Sequence, residues 1–400
     1  MVASKRSKTK RVNKDNENIT KSVDKPEDFK NNSILFKASI VIALITVASM
    51  GFVSLNLRTH QDTRSNGSQE LTNLKNDIQD EEKREGSDDI WTIDRRRNLS
   101  LEEFIQRYDG KRPVLITDIL PSWKAANWSK EFFAKNYGDQ KMFMKAVQGT
   151  MNQAESLAVN AKLFAEHAHE GKPWLWTYVE DELFIQTHPE LKDHLQNPIY
   201  LKEDFFQFFP KDVRPWNAML LWGTAYSRSS LHIDPYNWTG TNALFSGKKM
   251  WKMYPPGQDQ YLYIYSNRRC NFPLDCFKYN SPVDAFAPDL EKFPLFSKAK
   301  ALSFTQNAGE LLIIPTGWFH QAFNPEETIA VSSQIMNSQN YKICLEEIFK
   351  AGEVDLRKIP EGFANLSPVD QVVTVTRLIP INVIRKGRQL TENLLKQLKK

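Results

Sequence analysis

The sequence predicts a mainly β domain, a barrel or sandwich with flanking helices, preceded by one N-terminal transmembrane helix. Two observations carry this prediction. From Ala218 to Asn324, short apolar runs recur between Gly, Pro and Asn turns, which is typical of consecutive short strands. From Ala38 to Leu55 no residue is charged, and this run is about long enough to cross a bilayer. The 24 Phe and 10 Trp among 400 residues are ample for a large core.

The first 89 residues show no pattern of a folded core. Residues 1–33 are polar and predict a disordered tail. Residues 34–55 predict an uncleaved signal anchor, because a cleaved signal peptide would be shorter and begin nearer the N-terminus; a buried soluble helix is the alternative. Residues 56–89 are charged and predict a stem that links the anchor to the folded part.

The charge on either side of the apolar run predicts an orientation. Nine Lys/Arg precede the run, whereas residues 56–89 hold five Lys/Arg and nine Asp/Glu. Positive-inside reasoning then predicts a single-pass membrane protein with a cytosolic N-terminus and a catalytic domain in the lumen of the secretory pathway. Five Asn-x-Ser/Thr sequons beyond the run agree with this orientation. The sequon at Asn237 speaks against it, because a glycan there would crowd Asp234.

The net charge of +5 does not indicate a nucleic-acid partner. Residues 1–37 carry ten Lys/Arg and five Asp/Glu, so this segment holds the whole excess and the rest of the chain is neutral. Binding driven by phosphate neutralisation is therefore not expected. The three cysteines are too few for a Cys-ligated zinc module. Cys270 and Cys276 are close enough in sequence for a disulfide, and two free thiols are the alternative.

The elements before and after the β-rich region are predicted from caps and periodicity. Order is expected to begin near Ile90, with the following elements in turn: a helix after the capping box Ser100-Leu101-Glu102-Glu103, a strand Val114–Thr117, a helix from Trp128 to Tyr137, a strand Phe143–Val147 and a mixed, mainly helical stretch from Asn160 to Phe209. Within that stretch Trp174, Trp176 and Tyr178 alternate, so a strand there would point them into the core or towards a ligand. Residues 341–400 return to helical patterns.

A metal site is predicted from one short motif and one distant histidine. Residues two apart in a strand point to the same face, so His232 and Asp234 would project side by side. His320, on another strand, would complete two histidines and one carboxylate, the facial set of non-haem Fe(II) oxygenases. A His-x-Asp pair alone is more often structural, so the surrounding sequence decides.

That surrounding sequence resembles the JmjC domain family of 2-oxoglutarate-dependent oxygenases. The resemblance covers roughly residues 90–340 and is nearest to the compact hydroxylase branch that includes phosphatidylserine-receptor-type members. It is carried by three blocks in the family's order: Ser230-Leu231-His232-Ile233-Asp234-Pro235, Asn242-Ala243-Leu244-Phe245-Ser246-Gly247-Lys248-Lys249-Met250-Trp251, and Ala308-Gly309-Glu310-Leu311-Leu312-Ile313-Ile314-Pro315-Thr316-Gly317-Trp318-Phe319-His320.

The resemblance implies a double-stranded β-helix, a jelly-roll of the cupin type, over residues 90–340. It implies Fe(II), 2-oxoglutarate and O2 as cofactor and cosubstrates, and hydroxylation of a protein side chain with release of succinate and CO2. A JmjC demethylase is the nearest alternative, and a non-catalytic cupin-like binding domain is the other. Related enzymes often dimerise through C-terminal helices, so residues 341–400 are expected either to support a homodimer or to pack on their own barrel.

The far carboxylate of 2-oxoglutarate needs a buried cation, and strand parity chooses between two lysines. On a strand beginning at Lys248, the face that carries Lys249 also carries Trp251 and Met253, so Lys249 is predicted to point inward. The family places its lysine at the same position. The resemblance adds Asn242, Ser229 and Ser332 as cosubstrate contacts. The Pro-interrupted segment 280–300 is predicted to lie over the site.

Overall fold

The computed structural model describes residues 90–148, 155–270 and 272–399. The predicted tail (1–33), signal anchor (34–55) and stem (56–89) lie outside these residues. The described strands are β1 Asp94–Arg96, β2 Val114–Ile116, β3 Lys141–Gln148, β4 Glu155–Asn160, β5 Leu175–Asp181, β6 Met219–Gly223, β7 His232–Ile233, β8 Thr239–Ser246, β9 Lys248–Tyr254, β10 Tyr265–Arg269, β11 Phe277–Asn280, β12 Leu302–Asn307, β13 Leu311–Ile314, β14 Phe319–Phe323 and β15 Thr328–Ile335. The described helices are α1 Leu101–Arg107, α2 Lys130–Tyr137, α3 Ala161–His167, α4 Phe184–Thr187, α5 Pro189–Lys192, α6 Asp259–Leu262, α7 Tyr341–Ala351, α8 Pro368–Arg377 and α9 Ile381–Leu398.

The strands form two sheets that enclose the core. The larger sheet has the order β1-β2-β13-β8-β15-β6-β5-β3-β4, and the smaller has the order β10-β11-β7-β14-β9-β12. All these pairings are antiparallel except the one between β1 and β2. Trp251 and Phe304 of the smaller sheet pack with Leu115 and Leu312 of the larger. The predicted mainly β, cupin-like architecture with flanking helices is thus confirmed.

The membrane part of the prediction is corrected. A helix needs about 20 predominantly apolar residues to cross a bilayer. Among the residues that the structure describes, no helix is both long and apolar enough. Within the described residues, this finding contradicts the predicted single-pass localisation with the catalytic domain in the lumen; residues 34–55 lie outside them.

Capping residues explain where several helices begin or end. The Ser100 hydroxyl accepts a hydrogen bond from Glu103 N at 3.1 Å, and α1 begins at the next residue. Ser367 caps α8 in the same way through Asp370 N at 3.2 Å. Helix α7 ends where Gly352 takes a positive φ of 77°, a conformation that costs glycine nothing. The helix predicted after the capping box at Ser100 is confirmed.

The C-terminal helices pack against the chain's own β domain. Buried residues of α7 and α8, Leu345 and Val372 among them, lie in one apolar cluster with Phe206 and Tyr236. A Cβ on Gly387 of α9 would overlap the carbonyl oxygen of Asp212, so this helix approaches the β domain closely. The same cluster contains Cys270 and Cys276, which are joined by a disulfide. A homodimer through these helices stays a prediction.

The segment 280–300 does not lie where the sequence predicts. Val283, Ala285 and Phe296 pack against Tyr254 and Phe319. Both of these aromatic residues belong to the smaller sheet and alternate with side chains that face the core, so the segment covers the outer face of that sheet. The prediction that it lies over the site is wrong, because its apolar side chains are buried against this outer surface instead.

Candidate metal centre

His232, Asp234 and His320 converge at the core-facing side of the smaller sheet. His232 on β7 and His320 on β14 are direct cross-strand partners, and their ring centroids lie 4.5 Å apart. Asp234 Oδ1 lies 3.6 Å from His232 Nε2 and 3.7 Å from His320 Nε2. One potential ligand atom from each residue lies within 4.8 Å of the other two. A sheet register and a short motif therefore bring three side chains of types that bind metals to one point.

Backbone carbonyls orient both imidazoles. Nδ1 of His232 lies 2.7 Å from the carbonyl oxygen of Ser230, and Nδ1 of His320 lies 3.0 Å from that of Trp318. A carbonyl oxygen only accepts, so each Nδ1 carries a proton, and in the neutral imidazole each Nε2 presents a lone pair. Both Nε2 atoms face Asp234. This is the arrangement in which histidine binds a divalent metal.

Charge at the centre suits a cation. Burial alone would raise the pKa of Asp234, but the neighbouring histidines outweigh it and the pKa is lowered. Burial lowers the pKa of His320 to about 4, so this imidazole is neutral at neutral pH. Gly240 on β8 makes room for the carboxylate, because a Cβ at this position would overlap Asp234 Oδ2. The centre thus combines the ionised Asp234 carboxylate with the neutral His320 imidazole, and Gly240 leaves room for the carboxylate.

Asn237 connects the loop after Asp234 with the loop before His320. Its side-chain Oδ1 accepts a hydrogen bond from Gly317 N at 2.6 Å, and its carbonyl oxygen accepts one from the Thr316 hydroxyl at 3.0 Å. Asn237 has a positive φ of 54°, which asparagine tolerates better than most residues. Thr316 and Gly317 precede His320, and Asn237 follows Asp234. The Oδ1 atom of the Asn237 side chain is therefore engaged inside the fold.

Lys249 lies buried on the core-facing side of β9, with 0% of its surface exposed, whereas Lys248 is exposed. Its amine donates to the Tyr178 hydroxyl at 3.2 Å and to Asn324 Oδ1 at 3.0 Å. Both partners are neutral, and burial lowers the pKa of the amine to about 7. The sequence did not identify either partner as functional, although the alternation at Trp174, Trp176 and Tyr178 could have pointed to Tyr178. Trp174 itself is 50% exposed.

The other residues expected to contact a cosubstrate divide into two groups. Asn242 and Ser332 are cross-strand partners on β8 and β15 and face the core together. Asn242 is buried, and its Oδ1 has no hydrogen-bond partner among the described residues. Ser229 is used differently, because its hydroxyl accepts a hydrogen bond from Ala322 N at 3.0 Å. The structure thus brings Asn242 and Ser332 to the larger-sheet wall and engages Ser229 with the backbone of β14.

The residues present fit Fe(II) and 2-oxoglutarate. Two imidazoles and one carboxylate are a ligand set that leaves metal positions open. A buried amine without an acidic hydrogen-bond partner and an unpaired buried amide oxygen are costly in a core. A dicarboxylate would pair with the Lys249 amine, and Asn242 would supply a polar contact once its side-chain amide faces the ligand.

Comparison with known proteins gives the family. Residues 100–334, more than half of the chain, match the family described as Cupin-like domain. The chain is 29% identical over 270 residues to "Lysine-specific demethylase JMJ21" of Arabidopsis thaliana, covering 64% of this chain and 27% of that protein. It is 26% identical over 259 residues to "Bifunctional arginine demethylase and lysyl-hydroxylase psr-1" of Caenorhabditis elegans, covering 63% and 62%. It is 29% identical over 177 residues to "2-oxoglutarate and iron-dependent oxygenase JMJD4" of Gallus gallus, covering 42% and 37%.

The chain therefore matches less than two thirds of the length of each of these relatives. The part matched by the family model, residues 100–334, lies in the β domain. That part holds the His232, Asp234 and His320 group and the buried Lys249. The chain belongs to the cupin-like family of JmjC domains, the iron- and 2-oxoglutarate-dependent oxygenases.

Proposed function

We propose that residues 90–340 form an Fe(II)- and 2-oxoglutarate-dependent dioxygenase domain that hydroxylates a protein side chain, and that residues 341–400 support it as a helical segment. The observation that carries the proposal is the group of three candidate ligand side chains on the same core-facing side of the smaller sheet as a buried lysine. A non-catalytic cupin-like domain has no need of either. Relatives named as lysyl-hydroxylase or arginine demethylase act on protein side chains, which supports a protein substrate.

In this proposal His232, Asp234 and His320 hold the metal on one side and leave the other side open. Lys249 binds the far carboxylate of 2-oxoglutarate, and Tyr178 and Asn324 fix its amine in place. Bound Fe(II) and 2-oxoglutarate supply the oxidation, in which R–H, 2-oxoglutarate and O2 give R–OH, succinate and CO2. The protein contributes position and a water-poor space more than acid or base groups.

Demethylation of a protein side chain is the second candidate function. Relatives described as lysine-specific and arginine-specific demethylases support it. The same oxidation on an N-methyl carbon gives an N-hydroxymethyl group, which releases formaldehyde and leaves the amine. The two functions therefore share a site and differ in the product that leaves it.

Product analysis tests the proposal and separates the candidates. Purified protein with Fe(II), 2-oxoglutarate and O2 is expected to form succinate, and candidate substrate proteins are expected to gain the mass of one oxygen atom. Formaldehyde release from methylated peptides, without that mass gain, would favour demethylation. Equal succinate formation by the wild type and by Asp234→Ala would refute the proposed site.

A further inference from the structure

A cavity lies on the outer face of the larger sheet, away from the metal centre. Its volume is about 650 Å³, a size usual for sites that hold a small organic molecule. Side chains of β8, β13 and β15 form its floor, and Trp123 and residues between Gln186 and Ala218 form its walls. The cavity is therefore a hollow between one sheet face and the segment that follows β5.

Strand alternation separates this cavity from the candidate site. Asn242 on β8 and Ser332 on β15 face the core, so their neighbours Thr241 and Ser333 face the opposite side. Thr241 and Ser333 are register partners, and the Thr241 hydroxyl accepts a hydrogen bond from Ser333 N at 3.2 Å. Both residues line the cavity. A molecule bound there would lie behind the wall that we assign to 2-oxoglutarate and would not occupy the cosubstrate's own site.

The lining combines aromatic rings with carboxamide side chains. Trp123, Phe206 and Trp216 provide flat apolar surface, on which an aromatic body can pack. Carboxamides also line the cavity, Gln196 and Asn197 among them, and these two are exposed to solvent. A carboxamide can donate hydrogen bonds to an oxygen-bearing group. A ligand suited to this lining has an apolar body and a polar end.

Basic side chains outnumber acidic ones in the lining. Lys192, Lys211 and Arg214 are basic, and Asp204 is acidic. Burial raises the pKa of Asp204 to about 6, although Phe206 N donates to its Oδ1 at 3.0 Å and Arg214 acts to lower this pKa. The carboxyl is therefore largely ionised at neutral pH, and Arg214 offsets its charge.

The two lysines supply the positive charge that remains. Lys192 and Lys211 are both exposed at the cavity. The Lys192 amine donates to Gln186 Oε1 at 2.6 Å, and this partner has no formal charge. Among the described residues, no carboxylate lies within ion-pair distance of either amine. An anionic group on a ligand would supply the missing partner through charge-assisted hydrogen bonds.

We propose that this cavity is a binding site for a small organic anion with an apolar, aromatic body and one carboxylate group. The body packs against Trp123 and Trp216, and the carboxylate pairs with Lys192 and Lys211. The cavity shares no lining residue with the metal centre and does not include Lys249. The inference therefore goes beyond the dioxygenase proposal and does not depend on it.

Three ligands that share one body and differ in charge test the inference. The full chain is titrated by calorimetry with 2-naphthoate, 2-naphthamide and 2-naphthylmethylammonium, which are anionic, neutral and cationic. 2-Naphthoate is expected to bind about tenfold more tightly than the amide, as for a charge-assisted hydrogen bond, and the cation is expected to bind most weakly. Excess 2-oxoglutarate should leave this binding unchanged, because its expected site lies on the other face of the larger sheet.

Substitutions separate the charge of the cavity from its shape. Lys192→Gln combined with Lys211→Gln should weaken binding of 2-naphthoate about tenfold and leave binding of the amide unchanged. Ser333→Leu places a larger side chain on the floor and should weaken the anionic and neutral ligands alike. Lys292→Gln combined with Lys298→Gln is the matched control, because it makes the same charge change at exposed lysines of the segment that covers the smaller sheet. A thermal unfolding curve for each variant separates lost binding from lost fold.

The outcomes that would overturn the inference are distinct from those that bear on the dioxygenase proposal. Absence of 2-naphthoate binding, equal affinity for the three ligands, unchanged binding in the double-lysine variant, or displacement by 2-oxoglutarate would each overturn it. Binding of a hexaglutamate peptide without binding of 2-naphthoate would assign the cavity to an acidic protein segment and would overturn it as well. Succinate formation is affected by none of these outcomes, so the dioxygenase proposal is tested separately.

Discussion

The metal end and the lysine end of the candidate site differ in how far apart in sequence their contacts lie. At the metal end, His232 and His320 are each oriented by a carbonyl oxygen two residues away. At the lysine end, Lys249 meets Tyr178 and Asn324, which are 71 and 75 positions distant. The metal end combines a short motif with one strand pairing inside the smaller sheet, whereas the lysine end exists only once the two sheets have assembled. The ends should therefore fail differently when they are altered.

The largest expected effect is at the metal end. Asp234→Ala should abolish Fe(II) binding and succinate formation, because it removes the only acidic member of the ligand group. Asp193→Ala, an exposed change far from the ligands in sequence, is the control and should keep both activities. Metal titration and succinate assays provide the measurement. Full succinate production by Asp234→Ala would show that the triad is wrongly assigned.

The lysine end should show the next largest effect. Lys249→Ala is expected to raise the 2-oxoglutarate requirement by hundreds-fold, since loss of one partner of a desolvated charge pair costs about 3–5 kcal/mol. Lys248→Ala changes a neighbouring exposed lysine and should have little effect. The requirement is measured by titrating 2-oxoglutarate in succinate assays of both variants. Similar requirements in the two variants would exclude Lys249 as the carboxylate partner.

The same contrast explains what sequence could predict. The candidate ligands His232, Asp234 and His320 stand in short sequence motifs. The alternation of side chains along a strand was enough to predict that Lys249 is buried and Lys248 is exposed. The partners Tyr178 and Asn324 could not be assigned, because their role depends on which strands become neighbours. The predicted position of segment 280–300 was wrong for the same reason. Its apolar residues suit a place over the site as well as one on the outer face of the smaller sheet.

Gly240 sharpens the comparison, because it contacts Asp234 from the larger sheet although it follows Asp234 closely in sequence. Gly240→Ala should weaken metal binding about ten- to a hundredfold, the usual effect of disturbing a residue that positions a ligand. The added methyl group would displace the Asp234 carboxylate. Metal affinity should fall much more than thermal stability, and Ser246→Ala, farther along β8, serves as the control. Unchanged metal affinity in Gly240→Ala would mean that the carboxylate does not bind metal in this position.

Asn237 should give a smaller effect of the same kind. Asn237→Gly keeps the positive φ but leaves Gly317 N without its partner, a loss of about 1–3 kcal/mol when such a donor is buried. We expect metal affinity to fall about tenfold, because the two ligand loops lose their connection. Asn237→Asp retains an acceptor and should stay near the wild type in metal titrations. Wild-type affinity in Asn237→Gly would show that the loops hold their positions independently.

The smallest expected effect is a pH dependence confined to the lysine end. Burial lowers the pKa of Lys249 to about 7, with Glu180 opposing this in part. Below that pH the amine is charged and ready for a dicarboxylate, and above it the amine must first take up a proton. Affinity for 2-oxoglutarate should therefore fall about fivefold between pH 7 and 8, with proton uptake on binding, because the protonated fraction falls by that factor. Calorimetry in buffers of different ionisation enthalpy measures both quantities. Lys249→Arg, which stays charged throughout, should bind more weakly but without this slope, and an equal slope in the two proteins would assign the titration to another group.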